Sequence, residues 1–543
     1  MKNRPSTHLL LLLLLAAVTG IAHWAIIRAG VGRGFQPSGW VALRNIGLFL
    51  PLLALFFWLV RSRRYRGDLV LLTAAAALFA MGQVAQYRLF TDPEYGRGGR
   101  QGRAARLEKT EVLQQRYVDQ WYDEGKKRVL FGEAGARPPR LAERLNERSD
   151  QPAPERSAGG GEVLTSLATW VPLLALLGLV VAYRVVEDPR SLLWLQRHGL
   201  VLGIGTTIPL VLMAGYGSQG GKFLGRTTPW EPVKIAFLLS YAGVLTDQYR
   251  HLSRTWWGIP AWRVLIPLLL LSTLPLLPFF ILADFGQMLI FVAVYLGLYL
   301  VAVRRLRQLL LAPLLLGLLL SGAVLAGGAY QRLTARTGSD GGSAGGVVRL
   351  IREGIPRRIH QRFYLWLQGE VPPDPDLHPW WAAEVAAAGR GGADVDLWYK
   401  GDAYQPLQAL FGVAEGGLLG KGLGRGVPES VPIADSDFVY ATIAEEMGLL
   451  GGLIVLLGMA VLVRAGLRTA IAAPDMFTKL IAAGGTVFLG FQAIVNIGGV
   501  VRLLPMTGIT LPFVSHGGWS LVTSFWILGM LMAISHRNRM DGV

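Results

Sequence analysis

Long apolar blocks joined by short basic connections set the pattern of this chain. The blocks are about 17–25 residues long, the length a helix needs to cross a bilayer core. They lie near 8–28, 44–60, 68–87, 163–185, 198–215, 231–247, 262–281, 285–302, 309–328, 438–463, 479–498 and 511–535. The reading is an all-α polytopic membrane protein of about twelve spans. The first block follows a basic start and contains a leucine run, as a signal peptide would. Its apolar stretch continues past Ala22 to Ile27 with no small-x-small site before a polar region, so it is read as an uncleaved first span.

Orientation follows from charge in the short connections. Lys and Arg crowd Arg61–Arg66, Arg250–Arg263, Arg304–Arg307, Arg464–Lys479 and the tail after His536. With about twelve spans and both termini cytoplasmic, all of these fall on the cytoplasmic side. Two long connections, 88–162 and 329–437, then lie outside the cell. The first opens on Gly-Arg repeats, holds a short helix near Leu107–Tyr122 and ends in a Pro/Ser/Gly linker, Gln151–Gly161. The second has a Gly-rich stretch (Gly338–Gly346), a basic stretch (Arg349–Arg362), a Pro/Asp run (Pro372–Pro379) and a small-residue stretch (Ala382–Ala393). The expected organisation is an N-terminal set of spans, 1–87, an outer insert, 88–162, and a membrane core, 163–543, carrying the large outer loop.

Composition sharpens this picture. The chain is 52% hydrophobic and 16% charged over 543 residues, against about a quarter charged in soluble proteins. A net charge of +17 would suggest nucleic acid in a soluble protein. Here the basic residues flank apolar blocks, which points to anionic membrane lipid and not to nucleic acid. With no Cys, disulfides, thiolate nucleophiles and Cys-based metal sites are excluded. The eight His show no ligand spacing, and no metal-ligating set is assigned.

Ionisable and helix-breaking residues inside or beside spans are candidates for function. Glu231 and Lys234, three apart, share a helix face and can pair, either as a neutralised pair or as a cavity wall. Asp284 sits beside Gly286 at a helix junction and reads equally as an N-cap. Asp437 stands at the outer mouth of the tenth span. Ala441, Glu445 and Gly448 fall within about a quarter-turn of it, so two acids and two small residues line one side. Glu446 points the other way, towards a basic partner on a neighbouring helix. From Leu503 to Gly518 the Pro and Gly density breaks the helix, and broken backbone in a membrane is buried in protein or lines a cavity. Asn496 and Arg502 lie just before that break. The run Gly416–Gly424 lacks P-loop spacing and reads as close backbone packing or a re-entrant turn.

Taken in order, these motifs resemble the family of shape, elongation, division and sporulation proteins that includes RodA and FtsW. Its Pro-Ser-Glu-x-x-Lys element is matched by Pro229-Trp230-Glu231 with Lys234, and its Pro-Asp-Leu-Gly-Thr by Ala283–Gln287. Its Tyr-Gln and Gly-Lys-Gly elements are matched by Tyr404-Gln405, Gln408 and Gly416–Gly424. Its Thr-Asp-Phe-Ile-Phe-Ala with Glu-Glu-Leu-Gly is matched by Ser436–Ala441 and Glu445–Gly448, and its long Pro/Gly motif by Leu504–Ser520. Trp230, Phe285, Gln287, His516 and Trp519 depart from the family pattern, which marks a divergent member. The resemblance runs over about Pro229–Ser535 and extends back towards Val163. The family core has about ten spans, so two N-terminal spans and the 88–162 loop look like additions.

The resemblance implies a peptidoglycan glycosyltransferase. It would polymerise the undecaprenyl-pyrophosphate-linked disaccharide-pentapeptide, lipid II, with inversion, at the outer face of the cytoplasmic membrane. It implies Asp437 as the base. Lys234, Arg358 and Arg362 are candidates for the pyrophosphate. Glu231, Asp284, Tyr404, Gln405, Lys421, Glu445, Thr507, Ser515 and His516 are candidate cavity residues. A divalent cation, magnesium or manganese, is left open, and a class B penicillin-binding transpeptidase is the implied partner. Two other classes stay open: a lipid-precursor transporter or flippase, and a non-catalytic scaffold for a transpeptidase. The charges gather on the outer side, which favours outer-face chemistry.

Overall fold

The computed structural model describes residues 4–32, 37–91, 160–199, 201–205, 230–252, 285–303, 357–368, 403–426 and 433–540, with a few isolated positions between. Its N-terminal part comprises α1 (Pro5–Gly32), α2 (Gly39–Gly47), α3 (Phe49–Phe57), a π turn (Trp58–Ser62) and α4 (Val70–Thr91). Then come α5 (Gly160–Thr165), α6 (Leu167–Glu187), α7 (Pro189–Arg197), α8 (Trp230–Leu252) and α9 (Phe285–Val303). A short helix α10 (Arg357–Gln368) and α11 (Tyr404–Gly416) precede the long α12 (Val439–Ala472), α13 (Met476–Val500) and α14 (Gly518–Met540). A two-residue antiparallel β pairing, Thr255–Trp256 with Ile259–Pro260, follows α8.

Among the described residues, eight helical stretches are long and apolar enough to cross a membrane. Among the described residues the protein is almost wholly helical, with the long apolar helices of a multi-pass membrane protein. Helix α8 meets the predicted 231–247 span, but Glu231, Lys234 and Asp247 lower its hydropathy. The spans expected at 262–281 and 309–328 lie outside the described residues apart from single positions, and 198–215 is described only in part. So do most of the outer insert, its helix near Leu107–Tyr122, and most of the large outer loop.

Three boundaries differ from the sequence reading. The last span begins at Gly518, not at 511, because Pro512 and the glycines at 517–518 hold the preceding stretch out of helix. The 163–185 span breaks at Ser166, whose extended backbone separates α5 from α6. The tenth span runs on to Ala472, through a non-helical Gly448, so the basic stretch beginning at Arg464 starts inside helix α12.

Helix α13 is central. In α13 and α14, 78% of the apolar window is buried inside the protein, against 28% in α1, which leaves α1 a lipid-facing element. Small residues let backbones meet, as expected where lipid supplies no hydrophobic drive between helices. At Gly529 of α14 an added Cβ would lie 2.3 Å from the Leu179 carbonyl oxygen of α6.

The two ends of the bundle differ. At one end the 63–68 connection docks on α14: Arg66 N donates to His536 Nδ1 (3.0 Å), and Asp68 N donates to Ser535 Oγ (2.8 Å). There Asn538 Nδ2 also donates to the Thr469 carbonyl of α12 (2.9 Å). Basic connections assigned to one side by charge therefore meet in space. The other end gathers the outer end of α4, the start of α12 and the 501–517 break.

Candidate functional site

Asp437 ends a tight turn, Asp435-Ser436-Asp437, just before α12 begins at Val439. Its side chain is half-buried. Ser436 Oγ donates to Asp437 Oδ1 (3.0 Å). The turn is fixed from behind by buried Asn496 of α13, whose Nδ2 donates to the carbonyls of Asp437 (2.9 Å) and Ile509 (2.6 Å). One amide therefore locks the aspartate turn to the helix break. Such a fixed carboxylate loses little orientational freedom when a substrate arrives.

The break supplies the facing wall. Gly508 has φ +74°, in the left-handed region. A Cβ built on it would lie 3.6 Å from Asp437 Oδ2 and 3.8 Å from Arg362 Nη2. The Asp437 carboxylate and the Arg362 guanidinium thus converge over one glycine. Arg362 comes from α10, and its Nη1 donates to the Thr507 carbonyl (3.1 Å). A second tie comes from Arg502, whose Nη2 donates to the Trp366 carbonyl at the end of α10 (3.3 Å). Ser515 closes the turn from the other side, donating to the Ser436 carbonyl (2.5 Å) and accepting from Leu511 N (2.7 Å). His516 N donates to the Asp435 carbonyl (2.8 Å), while its exposed ring reaches Gln86 Oε1 (3.3 Å).

The glycine run packs backbone on backbone against α12. Lys421 N donates to the Glu445 carbonyl (3.0 Å) and Gly422 N to the Glu446 carbonyl (2.9 Å). Leu449 N returns a bond to the Gly417 carbonyl (2.9 Å). Gly448 leaves helical geometry there, at φ 67° and ψ −167°. Glu446 turns away from Asp437, as its helical phase requires, and its partner is Arg88 of α4. Arg88 Nε meets Glu446 Oε1 at 2.6 Å, and both side chains are 3% exposed. Arg88 Nη2 donates to the Gly426 carbonyl (2.8 Å), and Glu446 Oε2 accepts from Gly424 N (3.0 Å).

Of the residues expected from sequence, the structure brings Asp437, Arg362, Thr507, Ser515 and His516 to one mouth. Glu445 is fully buried a turn or more along α12, against Gly426. Lys421 pairs with Glu415 on the flank of the glycine run and not with Asp437. Glu231 and Lys234 pair with each other at 2.7 Å, nearly fully buried, with Lys234 Nζ over the Phe488 ring of α13. No bond links that pair to Asp437 among the described residues, and Glu231 Oε2 has no hydrogen-bond partner. Gln405 is half-buried on α11. Arg358 and Tyr404 lie on α10 and α11 without described side chains, and Asp284 lies outside the described residues. Its neighbour Gly286 packs on the break, where a Cβ would meet the Thr507 carbonyl oxygen at 2.7 Å. Among the described residues no group of three or more His, Asp or Glu converges to hold a metal ion.

Residues that sequence reasoning missed are Arg88, Gln86, Gly508 and the bonding role of Asn496. Arg88 was legible in principle, as an arginine at the end of an apolar block. It was assigned instead to the following loop.

Three comparisons bear on this arrangement. Residues 394–540 match the FtsW/RodA/SpoVE family, described as cell cycle protein. The peptidoglycan glycosyltransferase RodA of Mycobacterium bovis is 46% identical over 139 residues, 26% of this chain and 30% of that protein. Stage V sporulation protein E of Bacillus subtilis is 40% identical over 141 residues, 26% and 38% of the two chains. The probable peptidoglycan glycosyltransferase FtsW of Taylorella equigenitalis is 41% identical over 141 residues, 25% and 38%. The chain thus covers about a third of the length of these relatives. Among solved structures, a peptidoglycan synthase complex in which polymerization and crosslinking are coordinated aligns over 69% of this chain and 91% of that one, at 20% identity and TM-score 0.46. The rod shape determining protein RodA of Thermus thermophilus aligns over 69% and 96%, at 20% identity and TM-score 0.33.

Proposed function

We propose that the chain is a member, through residues 394–540, of the family of RodA, FtsW and stage V sporulation protein E, and that it is a peptidoglycan glycosyltransferase acting at the outer face of the membrane. Its substrate is lipid II, and its product is a glycan strand. The observation that carries this reading is the convergence of Asp437 Oδ2 and Arg362 Nη2 over Gly508. A carboxylate and a cation fixed a few ångströms apart suit a displacement that needs a base at one end and anion stabilisation at the other.

In the proposed step, Asp437 takes the proton of the acceptor sugar hydroxyl. That oxygen bonds to the donor's anomeric carbon from the face opposite the leaving group. The bond from that carbon to the pyrophosphate oxygen breaks, and the charge gained by the lipid pyrophosphate is met by Arg362. The configuration inverts because the displacement is single. Arg358, one helical turn before Arg362, and Lys234 are further candidates for anion contact. Asp284, Glu231, Tyr404, Gln405, Lys421 and Glu445 remain candidates for shaping the cavity. The partner is proposed to be a class B penicillin-binding transpeptidase, which would crosslink the strand as it emerges.

The test is polymerisation of fluorescent lipid II by the purified full-length protein in liposomes, with and without the transpeptidase and with magnesium or manganese added. Wild type should give product ladders and Asp437→Ala none. Absence of ladders from wild type under every condition would move the assignment to a transporter or a scaffold.

A further inference from the structure

Arg44, in the outer part of the second span, has no carboxylate partner among the described residues. It lies on α2, within the apolar stretch Gly39–Ser62, and its side chain is half-buried. Its Nε (3.0 Å) and Nη2 (2.7 Å) both donate to Asn45 Oδ1. Neither contact carries a countercharge. No carboxylate lies within ion-pair distance of it among the described residues. This contrasts with Arg88, which has Glu446. A guanidinium kept in a membrane with only a neutral acceptor is costly unless something anionic reaches it.

The side chain is also held still. Asn45, 1% exposed, donates through Nδ2 to His23 Nε2 (2.9 Å), and His23 Nδ1 lies 2.7 Å from the Thr19 carbonyl. A carbonyl only accepts, so Nδ1 carries the proton and Nε2 is free to accept from Asn45. Tyr87 packs on the His23 ring at 4.4 Å and donates to the Ser38 carbonyl (3.1 Å) at the start of α2. The relay Thr19–His23–Asn45 is satisfied at every link and ends on the Arg44 fork. It points to a cation whose direction is set in advance, with Nη1 left for something else.

The frame that holds Arg44 packs on the helix that braces the candidate site: Tyr87, packed on the His23 ring, follows Gln86, whose Oε1 lies 3.3 Å from His516 Nδ1. His516 is bonded through its backbone to Asp435, and its neighbour Ser515 is bonded to Ser436. Arg362 approaches the same turn by way of Gly508 and Thr507. The aspartate turn therefore has Arg362 on one flank and, beyond His516 and Gln86, the frame that holds Arg44 on the other.

We propose that Arg44 is a second anion site of the Asp437 mouth, binding a phosphate group carried on an outer-leaflet lipid. The chemistry fits either the pyrophosphate of a polyprenyl carrier or a phospholipid headgroup. The first choice rests on the polymerase reading, in which donor and acceptor each bring a pyrophosphate and one cationic flank would serve each. An arginine fork suits phosphate better than a lysine, through two parallel charge-assisted bonds.

Two probes are measured on the full-length protein in neutral detergent: farnesyl pyrophosphate and short-chain phosphatidylglycerol. The variants are Arg44→Gln, Arg44→Lys and Asn45→Asp. The last leaves the arginine in place but sets a carboxylate against it, so it occupies the site from within. Pyrophosphate binding should weaken about tenfold or more in Arg44→Gln and Asn45→Asp and less in Arg44→Lys. Loss of phosphatidylglycerol binding alone, in the same variants, would keep the anion site and make its ligand a phospholipid. Unchanged binding of both probes in Arg44→Gln and Asn45→Asp, with wild-type elution on size exclusion, overturns the proposal. The polymerase reading fails separately: if wild type makes no glycan strands while these binding differences persist, Arg44 remains an anion site and the activity assignment falls.

Discussion

At the scale of single residues, the site divides into groups that act and groups that hold. Asp437 is half-buried and bonded at one oxygen by Ser436, so Asp437→Asn keeps the shape and removes the base. General-base catalysis contributes about a hundredfold or more, so polymerisation should fall by at least about that factor. Thermal unfolding in detergent should stay at the wild-type midpoint. An equal loss of midpoint and rate would make Asp437 a structural residue. Arg88 and Glu446 behave oppositely. Both are 3% exposed and paired at 2.6 Å. Removing one partner strands the other charge in the protein, which costs about 3–5 kcal/mol. Arg88→Met should therefore destabilise strongly, while Arg88→Met with Glu446→Leu should recover much of the loss, because no charge is left behind. Additive losses in that cycle, read by thermal unfolding, would rule out the pair as the cause. The sequence made half of this legible: helical phase turned Glu446 away from Asp437 towards a basic partner. It could not name Arg88, since the partner is far along the chain and pairing across helices leaves no local signal.

At the scale of elements, the glycines carry the argument. The run Gly416–Gly424 was readable as close packing from its density alone, and it lies backbone on backbone against α12. The position of the kink was less legible. Gly448 looked like a small residue lining a helix face, yet its φ of 67° and ψ of −167° take it out of the helix. A Cβ there would stand 2.3 Å from Gly420 N and 2.5 Å from the Leu418 carbonyl oxygen. Both strain and collision therefore oppose any other residue. Gly448→Ala should lower the unfolding midpoint more than Gly39→Ala, where a Cβ meets nothing within 4 Å. Equal midpoints for the two variants would mean that the glycine run yields easily. The 511–517 stretch teaches a related lesson. Apolar length extended the last span through it, whereas Pro512 and its glycines stop the helix short. Hydropathy reports what lies in the membrane and is blind to whether the backbone there is helical.

At the scale of the whole molecule, one helix joins the separate parts of the site. Arg88 at the outer end of α4 grips Glu446 and the Gly426 carbonyl, while Glu446 accepts from Gly424 N, and so α12 is fixed. Two residues earlier, Gln86 Nε2 donates to the Val514 carbonyl (3.0 Å), while Gly82 sits so close that a Cβ would lie 2.4 Å from that same oxygen. Thus α4 holds both the helix that follows Asp437 and the break that carries Thr507, Gly508 and Ser515. None of this long-range framing could be read from the chain, because α4 looks like an ordinary apolar span. It makes a prediction separable from chemistry. Gln86→Leu removes the donor to Val514 and the contact to the His516 ring without touching Asp437 or Arg362. The lost bond leaves a carbonyl short of its donor and costs about 1–3 kcal/mol. Displacement of the break relative to Asp437 should lower the polymerisation rate at saturating substrate, since misplacement by about an ångström can cost about a hundredfold. Binding of farnesyl pyrophosphate should change less than the rate. A rate equal to wild type, in a variant whose midpoint has dropped, would show that α4 supports the fold without setting the geometry of the mouth.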